Sequence, residues 1–308
     1  MPETILVTPR SLTGADHPEL DRLRRRGFAL RFAPPGRLPD EGELLRLVPG
    51  CVGWLAGIEP VSARVIDRAR DLRIIARNGT GTDSLPLELL RSRGVAVALA
   101  RGANAVGVGE LALGLMFAAA RAIPQCDAGI KAGQWPRPMG FELRGSTIGL
   151  VGCGMIGREV ARLGIAIGAK VVAFDPAAPA HGFAAASFRY APLPEVLAAA
   201  EVLSLHLPLA PGAGPLLDAA ALAMLPPGAV VVNTARAGLV DAPAMLAALD
   251  AHRIAAYCTD VFDHEPPLDC TLARHPRVIA TTHVGGLTRE SVDRATRAAV
   301  DALLAALR

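Results

Sequence analysis

The chain contains 308 residues, a length that favours about two domains and can bury a sizeable core without disulfides. Its 51% hydrophobic and 20% charged residues are typical of a globular protein and exclude a disordered one. The net charge of +3 is diffuse, with 32 basic against 29 acidic residues and no basic run interleaved with aromatics, so we expect no nucleic-acid partner.

The predicted compartment is the cytoplasm, without membrane attachment. The mean hydropathy of +0.35 comes largely from Ala, Val and Leu, and the longest clear apolar run, residues 111–120, is too short to span a bilayer. Acidic Glu3 precedes the first apolar residues, which is not typical of a secretory signal. The five cysteines form no CxxC pair and have no histidine cluster beside them, which predicts reduced thiols and no metal site.

Short apolar runs alternate with helical patterns along the chain, which predicts an α/β fold with parallel strands. The predicted strands are residues 5–8, 52–55, 73–76, 95–98, 147–151, 170–174, 202–205, 229–233, 255–258 and 278–281. The clearest predicted helices are residues 61–70, 109–121, 155–167, 243–250 and 288–308.

A glycine-rich turn carries the strongest local signal. Gly152, Gly154 and Gly157 have GxGxxG spacing, directly after the strand 147–151 and at the start of the helix 155–167. The first glycine permits the tight turn, the second lets the backbone approach a pyrophosphate, and the third lets the helix pack on the strand. The helix N-terminus then offers N–H groups to the phosphates, so the turn predicts a dinucleotide site.

Asp175 supports that reading and indicates which dinucleotide is bound. It ends the next strand, residues 170–174, where a carboxylate can hold the two ribose hydroxyls. The carboxylate would repel a 2′-phosphate, and the following Pro176-Ala177-Ala178 offers no arginine to neutralise one. The sequence therefore predicts NAD rather than NADP.

Three later segments place polar residues just past apolar strands, where open α/β sheets bind ligands. Arg236 lies in VVVNTARAGLVD, Asp260 and Glu265 lie in YCTDVFDHEPP, and His283 lies in VIATTHVGG before Gly285. Chemistry at a carbonyl group needs a proton donor at the carbonyl oxygen and a cation that polarises it. An imidazole oriented by a carboxylate, together with a guanidinium fork, can supply both.

With RNGTGTD, NAVGVGEL, GCGMIG, NTARAGLVD, DVFDHEPP and THVGG in this order, the sequence resembles the D-isomer-specific 2-hydroxyacid dehydrogenase family, and within it the phosphoglycerate dehydrogenases. The resemblance implies two Rossmann-like, doubly wound parallel-sheet domains, one flavodoxin-like and one NAD-binding, with an active-site cleft between them. Residues 1–100 and 287–308 would form the substrate-binding domain and residues 101–286 the NAD-binding domain. The resemblance also implies a homodimer that acts on a small 2-hydroxy or 2-oxo acid.

The resemblance assigns roles to individual residues. Arg236, Glu265 and His283 would be catalytic, and the Asn78-Gly79 turn would bind the substrate carboxylate with its N–H groups, beside Arg236 and His283. Asp260 would hold the nicotinamide carboxamide, and His206 would contact the cofactor through its backbone. The complete set expected at the cofactor is Gly152, Gly154, Met155, Ile156, Gly157, Asp175, His206, Pro208, Thr234, Asp260 and Gly285.

The sequence departs from the phosphoglycerate dehydrogenases at one position that bears on the substrate. The arginine usual in the early loop is absent from Leu55-Ala56-Gly57, and Arg77 or Arg137 are candidates to replace it. The substrate therefore stays open among 3-phosphoglycerate, hydroxypyruvate, glyoxylate or another anionic 2-hydroxy acid. The alternative function is a cofactor-sensing, corepressor-like binding protein on the same scaffold.

Overall fold

The computed structural model describes residues 2–14, 17–177, 183, 186–210 and 212–307. Ala178, the last residue of the stretch predicted to favour NAD, lies outside them. The chain forms two compact units, one of residues 1–104 with 286–308 and the other of residues 105–285.

The first unit is built on a parallel five-stranded sheet with the order β2-β1-β3-β4-β5, a flavodoxin-like arrangement. Its strands are β1 (Thr4–Val7), β2 (Ala29–Phe32), β3 (Cys51–Ala56), β4 (Ile74–Arg77) and β5 (Ala96–Leu99). Its helices are α1 (Arg10–Thr13), α2 (Pro18–Arg25), α3 (Glu41–Leu47), α4 (Ala63–Arg68), α5 (Leu87–Ser92) and the C-terminal α12 (Arg289–Ala306). Both faces of the sheet are covered, because Trp54 is buried among α3, α4 and α5 residues while Ile5 packs in one apolar cluster with Leu303 of α12.

The second unit has a parallel seven-stranded sheet with the order β12-β11-β10-β9-β6-β7-β8, a Rossmann order extended by one strand. Its strands are β6 (Thr147–Val151), β7 (Lys170–Phe174), β8 (Phe188–Tyr190), β9 (Val202–Leu205), β10 (Ala229–Asn233), β11 (Ile254–Thr259) and β12 (Val278–Ala280). Its helices are α6 (Ala105–Ala120), α7 (Ile123–Lys131), α8 (Met155–Ala166), α9 (Leu193–Ala199), α10 (Ala219–Met224) and α11 (Ala242–Asp250). The predicted α/β class, with two doubly wound, Rossmann-like parallel-sheet domains, is confirmed.

The strands at the centre of the second sheet match the sequence prediction, whereas two edge strands were missed. Strands β6, β7, β9 and β10 have the predicted bounds, because each is an apolar run enclosed on both faces. Strand β2 is only half-buried, and β8 has three partly exposed residues. Neither has the continuous apolar run that identifies a buried strand, because each lies at the edge of its sheet.

Helix α6 begins four residues before the predicted start at Gly109, because two glycines in its first turns weaken the helical signal. Gly109 is required for packing, since a Cβ there would lie 2.7 Å from Cγ of Glu159 on α8. No single helix of the described residues is both long and apolar enough to cross a bilayer. Helices α6 and α7 meet that length and composition only as a pair bent by 63°.

Candidate active site

The predicted glycine-rich turn follows β6. Its three glycines differ in what a side chain at each position would contact. Gly152 has φ +94°, and a Cβ there would lie 2.7 Å from the backbone of His206 and Leu207. A Cβ on Gly157 would lie only 2.1 Å from the carbonyl oxygen of Gly152. Gly154 has no heavy atom within 4 Å of its Cβ position, so it borders open space. The turn is therefore packed tightly against backbone atoms at Gly152 and Gly157 and is open at Gly154. A phosphate cradle needs this combination.

Helix α8 begins at this open space, and the backbone N–H groups of its first turn have no partner within the helix. Its N-cap residue, Gly154, provides no side-chain cap, and the first helical hydrogen bond runs from Arg158 N–H to the Gly154 carbonyl at 2.9 Å. The N–H groups of Met155, Ile156 and Gly157 precede that bond and have no acceptor within the helix. Together with the positive end of the helix dipole, they suit the binding of a diphosphate.

Asp175 follows β7 and lies beside the same turn. Its carboxylate accepts hydrogen bonds from the backbone N–H of Cys153 at 2.7 Å and of Ala177 at 2.8 Å. Each oxygen bonds one donor, so lone pairs remain for further donors such as a ribose diol. The carboxylate is thus fixed beside the glycine-rich turn, and its role in ribose recognition stays a prediction.

His206 follows β9, and its backbone packs against Gly152. Its N–H donates to the Val151 carbonyl at 2.7 Å, while its imidazole Nε2 lies 2.9 Å from Ser204 Oγ. Burial lowers the pKa of His206 to about 4, so the ring is neutral at physiological pH. Pro208, two residues further on, is exposed. The neutral imidazole cannot supply a cation to phosphates, and the role of the His206 backbone at the cofactor stays a prediction.

The segment after β10 is shaped by Asn233, a residue to which the sequence prediction gave no role. Its fully buried amide accepts from Ala235 N–H at 3.0 Å and donates to the Arg236 carbonyl at 2.9 Å. The Arg236 guanidinium donates to the Ala235 carbonyl at 2.7 Å and is half-buried. The Oγ1 atom of Thr234 is buried and has no hydrogen-bond partner within the described part of the chain. The only sequence signal for Asn233 was its place as the last residue of the predicted strand 229–233.

Asp260 organises the next strand end. It is 2% exposed, and its Oδ1 accepts from Thr281 Oγ1 at 2.6 Å and from Val284 N–H at 2.9 Å. Its Oδ2 accepts from Gly285 N–H at 2.8 Å. These three bonds hold the 281–285 turn that carries His283. Thr281, which the sequence prediction treated only as a strand residue, is part of this network.

His283 and Glu265 form a direct pair. The imidazole Nδ1 lies 2.9 Å from both carboxylate oxygens of Glu265. The two side chains are 43% and 33% exposed, so the pair is anchored yet open to solvent on its other side. His283 has φ +55°, a left-handed conformation that is uncommon for a residue other than glycine. The carboxylate fixes the tautomer with the proton on Nδ1 and leaves Nε2 available for chemistry.

Asn78 and Gly79, the predicted substrate-binding turn, lie in the first unit after β4. Asn78 N–H donates to the Ala56 carbonyl at 2.8 Å, and its Nδ2 lies 3.4 Å from Thr296 Oγ1. The Asn78 Oδ1 atom is buried without a partner among the residues described. Nothing lies within 4 Å of the Cβ position of Gly79, so its backbone is open to an approaching group.

The second unit thus brings Arg236, Asp260, Glu265 and His283 to the carboxyl ends of three adjacent strands, β10, β11 and β12. This arrangement pairs an imidazole with a carboxylate on the sheet that also carries the phosphate cradle, and it places a guanidinium one strand from the carboxylate and two strands from the imidazole. Within the described ranges, no group of three or more His, Cys, Asp or Glu side chains is arranged to hold a metal ion. All five cysteines are free thiols.

Comparison with known proteins gives consistent relatives. Residues 113–285 match the family model described as D-isomer specific 2-hydroxyacid dehydrogenase, NAD binding domain. The chain is 38% identical over 255 residues to D-3-phosphoglycerate dehydrogenase of Rattus norvegicus, covering 82% of this chain and 48% of that protein. It is 39% identical over 260 residues to the Mycobacterium tuberculosis protein of the same name, covering 83% and 49%. The chain therefore spans about half the length of the curated relatives it matches.

Among solved structures, the TT0316 protein from Thermus thermophilus superposes with a TM-score of 0.88 at 34% identity. That match covers 99% of this chain and 96% of the other, so the similarity extends over both units.

Proposed function

This chain belongs to the D-isomer-specific 2-hydroxyacid dehydrogenase family, and we propose that it transfers a hydride between NAD and C2 of a small D-2-hydroxy acid or 2-oxo acid. The observation that carries the proposal is the His283–Glu265 pair, with 2.9 Å between Nδ1 and the carboxylate, in the unit that holds the phosphate cradle. A carboxylate-oriented imidazole is the group that protonates a carbonyl oxygen or removes a proton from a hydroxyl.

In the direction of reduction, His283 protonates the oxygen of the 2-oxo group from Nε2 as C2 is reduced. Glu265 accepts the Nδ1–H bond throughout and stabilises the positive charge that the ring carries before it gives up its proton. In the direction of oxidation, neutral Nε2 removes the hydroxyl proton. The same pair therefore serves both directions.

Arg236 binds the substrate carboxylate and the carbonyl oxygen with its guanidinium fork, which orients the acid and polarises the carbonyl. Asn233 holds the Arg236 backbone, so the fork is anchored to the sheet. In the first unit the Asn78 N–H is already bonded to the Ala56 carbonyl, so the carboxylate donor proposed for the predicted Asn78-Gly79 turn is the Gly79 N–H, which has open space beside it.

The residues of the second unit fit NAD. The cradle at Gly154 and the N–H groups of Met155, Ile156 and Gly157 bind the pyrophosphate, and Asp175 binds the ribose diol, disfavouring the 2′-phosphate of NADP. When bound, NAD supplies or accepts the hydride. The strand ends that carry His206, Pro208, Thr234, Asp260 and Gly285 would complete the cofactor site, and Asp260 is the residue proposed to hold the nicotinamide carboxamide.

The test is NADH oxidation, followed at 340 nm, across glyoxylate, hydroxypyruvate, pyruvate and 3-phosphohydroxypyruvate. We expect turnover with at least one of these acids, and a clear preference for NADH over NADPH. NADH binding without turnover of any acid would contradict the proposal and favour the cofactor-sensing alternative.

The proposal includes a homodimer that works in the cytoplasm and binds neither membranes nor nucleic acid. Support for self-association comes from the second unit, where α7 and the segment after it expose large apolar side chains, with Trp135 79% and Met139 98% exposed. We expect light scattering to give twice the chain mass and a Trp135→Ser, Met139→Ser variant to give the monomer mass. A wild-type monomer at micromolar concentration would contradict this part.

A further inference from the structure

The family resemblance leads us to expect an arginine in the loop after β3. This chain has Gly57 in that stretch, so the loop offers no side chain to a substrate at this position. A Cβ at Gly57 would lie 2.7 Å from Glu59 Oε2 and 3.1 Å from Cα of Pro9, so a side chain there would crowd the Glu59 carboxyl and the Pro9 backbone. Glu59 is fully buried, and its Oε1 accepts a 3.0 Å hydrogen bond from Gly57 N–H. Burial raises the pKa of Glu59 above its usual range, so this carboxyl is held toward its neutral form.

Arg77, one of the two candidate replacements, is committed to the protein itself. It is 3% exposed, and its guanidinium donates from Nε to the Gly81 carbonyl and from Nη1 to Ser84 Oγ, both at 3.1 Å. These bonds shape the loop after β4, which includes Asn78 and Gly79. Arg77 therefore supports the carboxylate-binding turn and does not present a charge at the surface.

The end of β1 is fixed against the Gly57 loop by Thr8. The Thr8 hydroxyl oxygen accepts from Trp54 Nε1 at 2.9 Å and lies 3.3 Å from Gly57 N, while the hydroxyl donates to Glu59. The Thr8 N–H also bonds the Leu55 carbonyl at 3.1 Å. This buried network holds residues 8 and 9 directly beside Gly57.

Arg10 is the next residue. Consecutive Cα atoms are about 3.8 Å apart, so the Arg10 Cα lies within about 7 Å of the Cβ position at Gly57. The residue is exposed, its backbone carbonyl accepts from Thr13 Oγ1, and its guanidinium forms no ion pair with any other residue of the described ranges. It lies at the same carboxyl edge of the sheet as Asn78 and Gly79.

We propose that Arg10 is a specificity-determining residue that binds a second anionic group of the substrate, replacing the arginine that Gly57 cannot provide. This inference rests on the proposed function. Strand β3 separates β1 from β4, and neighbouring strands are about 4.8 Å apart, so the two strand ends are about 10 Å apart. A three-carbon acid with its carboxylate on the Asn78-Gly79 turn and a phosphate, sulfonate or carboxylate at C3 spans the remaining gap to a flexible arginine side chain.

The experiment compares Arg10→Gln with Arg70→Gln and Arg137→Gln in NADH-dependent reduction of hydroxypyruvate, 3-phosphohydroxypyruvate, 3-sulfopyruvate and oxaloacetate. Arg70 is the matched control, because it is exposed, without an ion pair among the described residues, and precedes β4 at the opposite edge of the sheet. We expect Arg10→Gln to raise the KM of the preferred doubly charged acid at least about tenfold, with little change in kcat. The KM of hydroxypyruvate should stay unchanged in all three variants.

Three outcomes overturn the proposal. A wild-type enzyme with no preference for a second anionic group contradicts it, and so does an Arg10→Gln variant that raises the KM of hydroxypyruvate equally. A selective loss in Arg137→Gln alone assigns the role to Arg137. In each of these outcomes the wild type still reduces at least one acid. If the proposed function itself fails, the wild type reduces none of the acids, and the role proposed for Arg10 fails as well.

Discussion

Replacement of His283 by asparagine is expected to lower kcat by about 10²–10⁴-fold, the usual contribution of a positioned general acid. Asparagine tolerates the left-handed backbone that His283 adopts at φ +55°, so the variant removes the imidazole with little added strain. It cannot deliver a proton at neutral pH. Steady-state kinetics should show the loss, and fluorescence titration should show unchanged NADH affinity.

His252 provides the matched control. It is an exposed histidine of the same unit with φ +58°, and it lies after α11, away from the strand ends that carry the site. His252→Asn should leave kcat within about twofold. Glu265→Gln should lose activity while keeping NADH affinity, because a neutral amide no longer stabilises the charged ring. Full activity in His283→Asn would remove this residue from the proton-transfer role.

The fold was largely predictable because parallel strands that are buried on both faces appear in the sequence as continuous apolar runs. Residues 229–233 are apolar until the final asparagine, and their strand has the predicted bounds. Strand β2, with the sequence ALRF, mixes apolar and charged residues because one of its edges faces solvent. Its existence depends on pairing with β1, a contact between distant residues that a local pattern does not contain.

The candidate site was predictable at the level of residue identity and only partly at the level of contacts. The motif spacing placed Glu265 and His283 on neighbouring strand ends, but the left-handed turn at His283 has no local sequence signature. The support from Asn233 and Thr281 depends on how the chain bends after each strand. The burial of Arg77 depends on the path of residues 78–84, which no periodicity describes. The catalytic roles themselves stay predictions until the variants are measured.

Two neighbouring glycines of the cradle allow cofactor binding to be separated from folding. Gly154→Ala should weaken NADH binding at least about tenfold with unchanged or slightly higher stability, because its Cβ enters open space at a φ of −71° that alanine adopts readily. That open space is where the pyrophosphate is proposed to lie, so the methyl group competes with the ligand alone. Fluorescence titration measures the affinity, and urea unfolding measures the stability.

Gly157→Ala should instead lower both quantities. Its Cβ would lie 2.1 Å from the Gly152 carbonyl oxygen, and since that atom belongs to the backbone, α8 must move away from β6. Overpacking of this kind costs about 1–3 kcal/mol of unfolding free energy, and it also misplaces the donors at the helix N-terminus. Equal stability losses in both variants would mean that Gly154 is structural, and the assignment of its open side to the cofactor would then fail. Unchanged affinity in Gly154→Ala would place the pyrophosphate elsewhere, even with the fold intact.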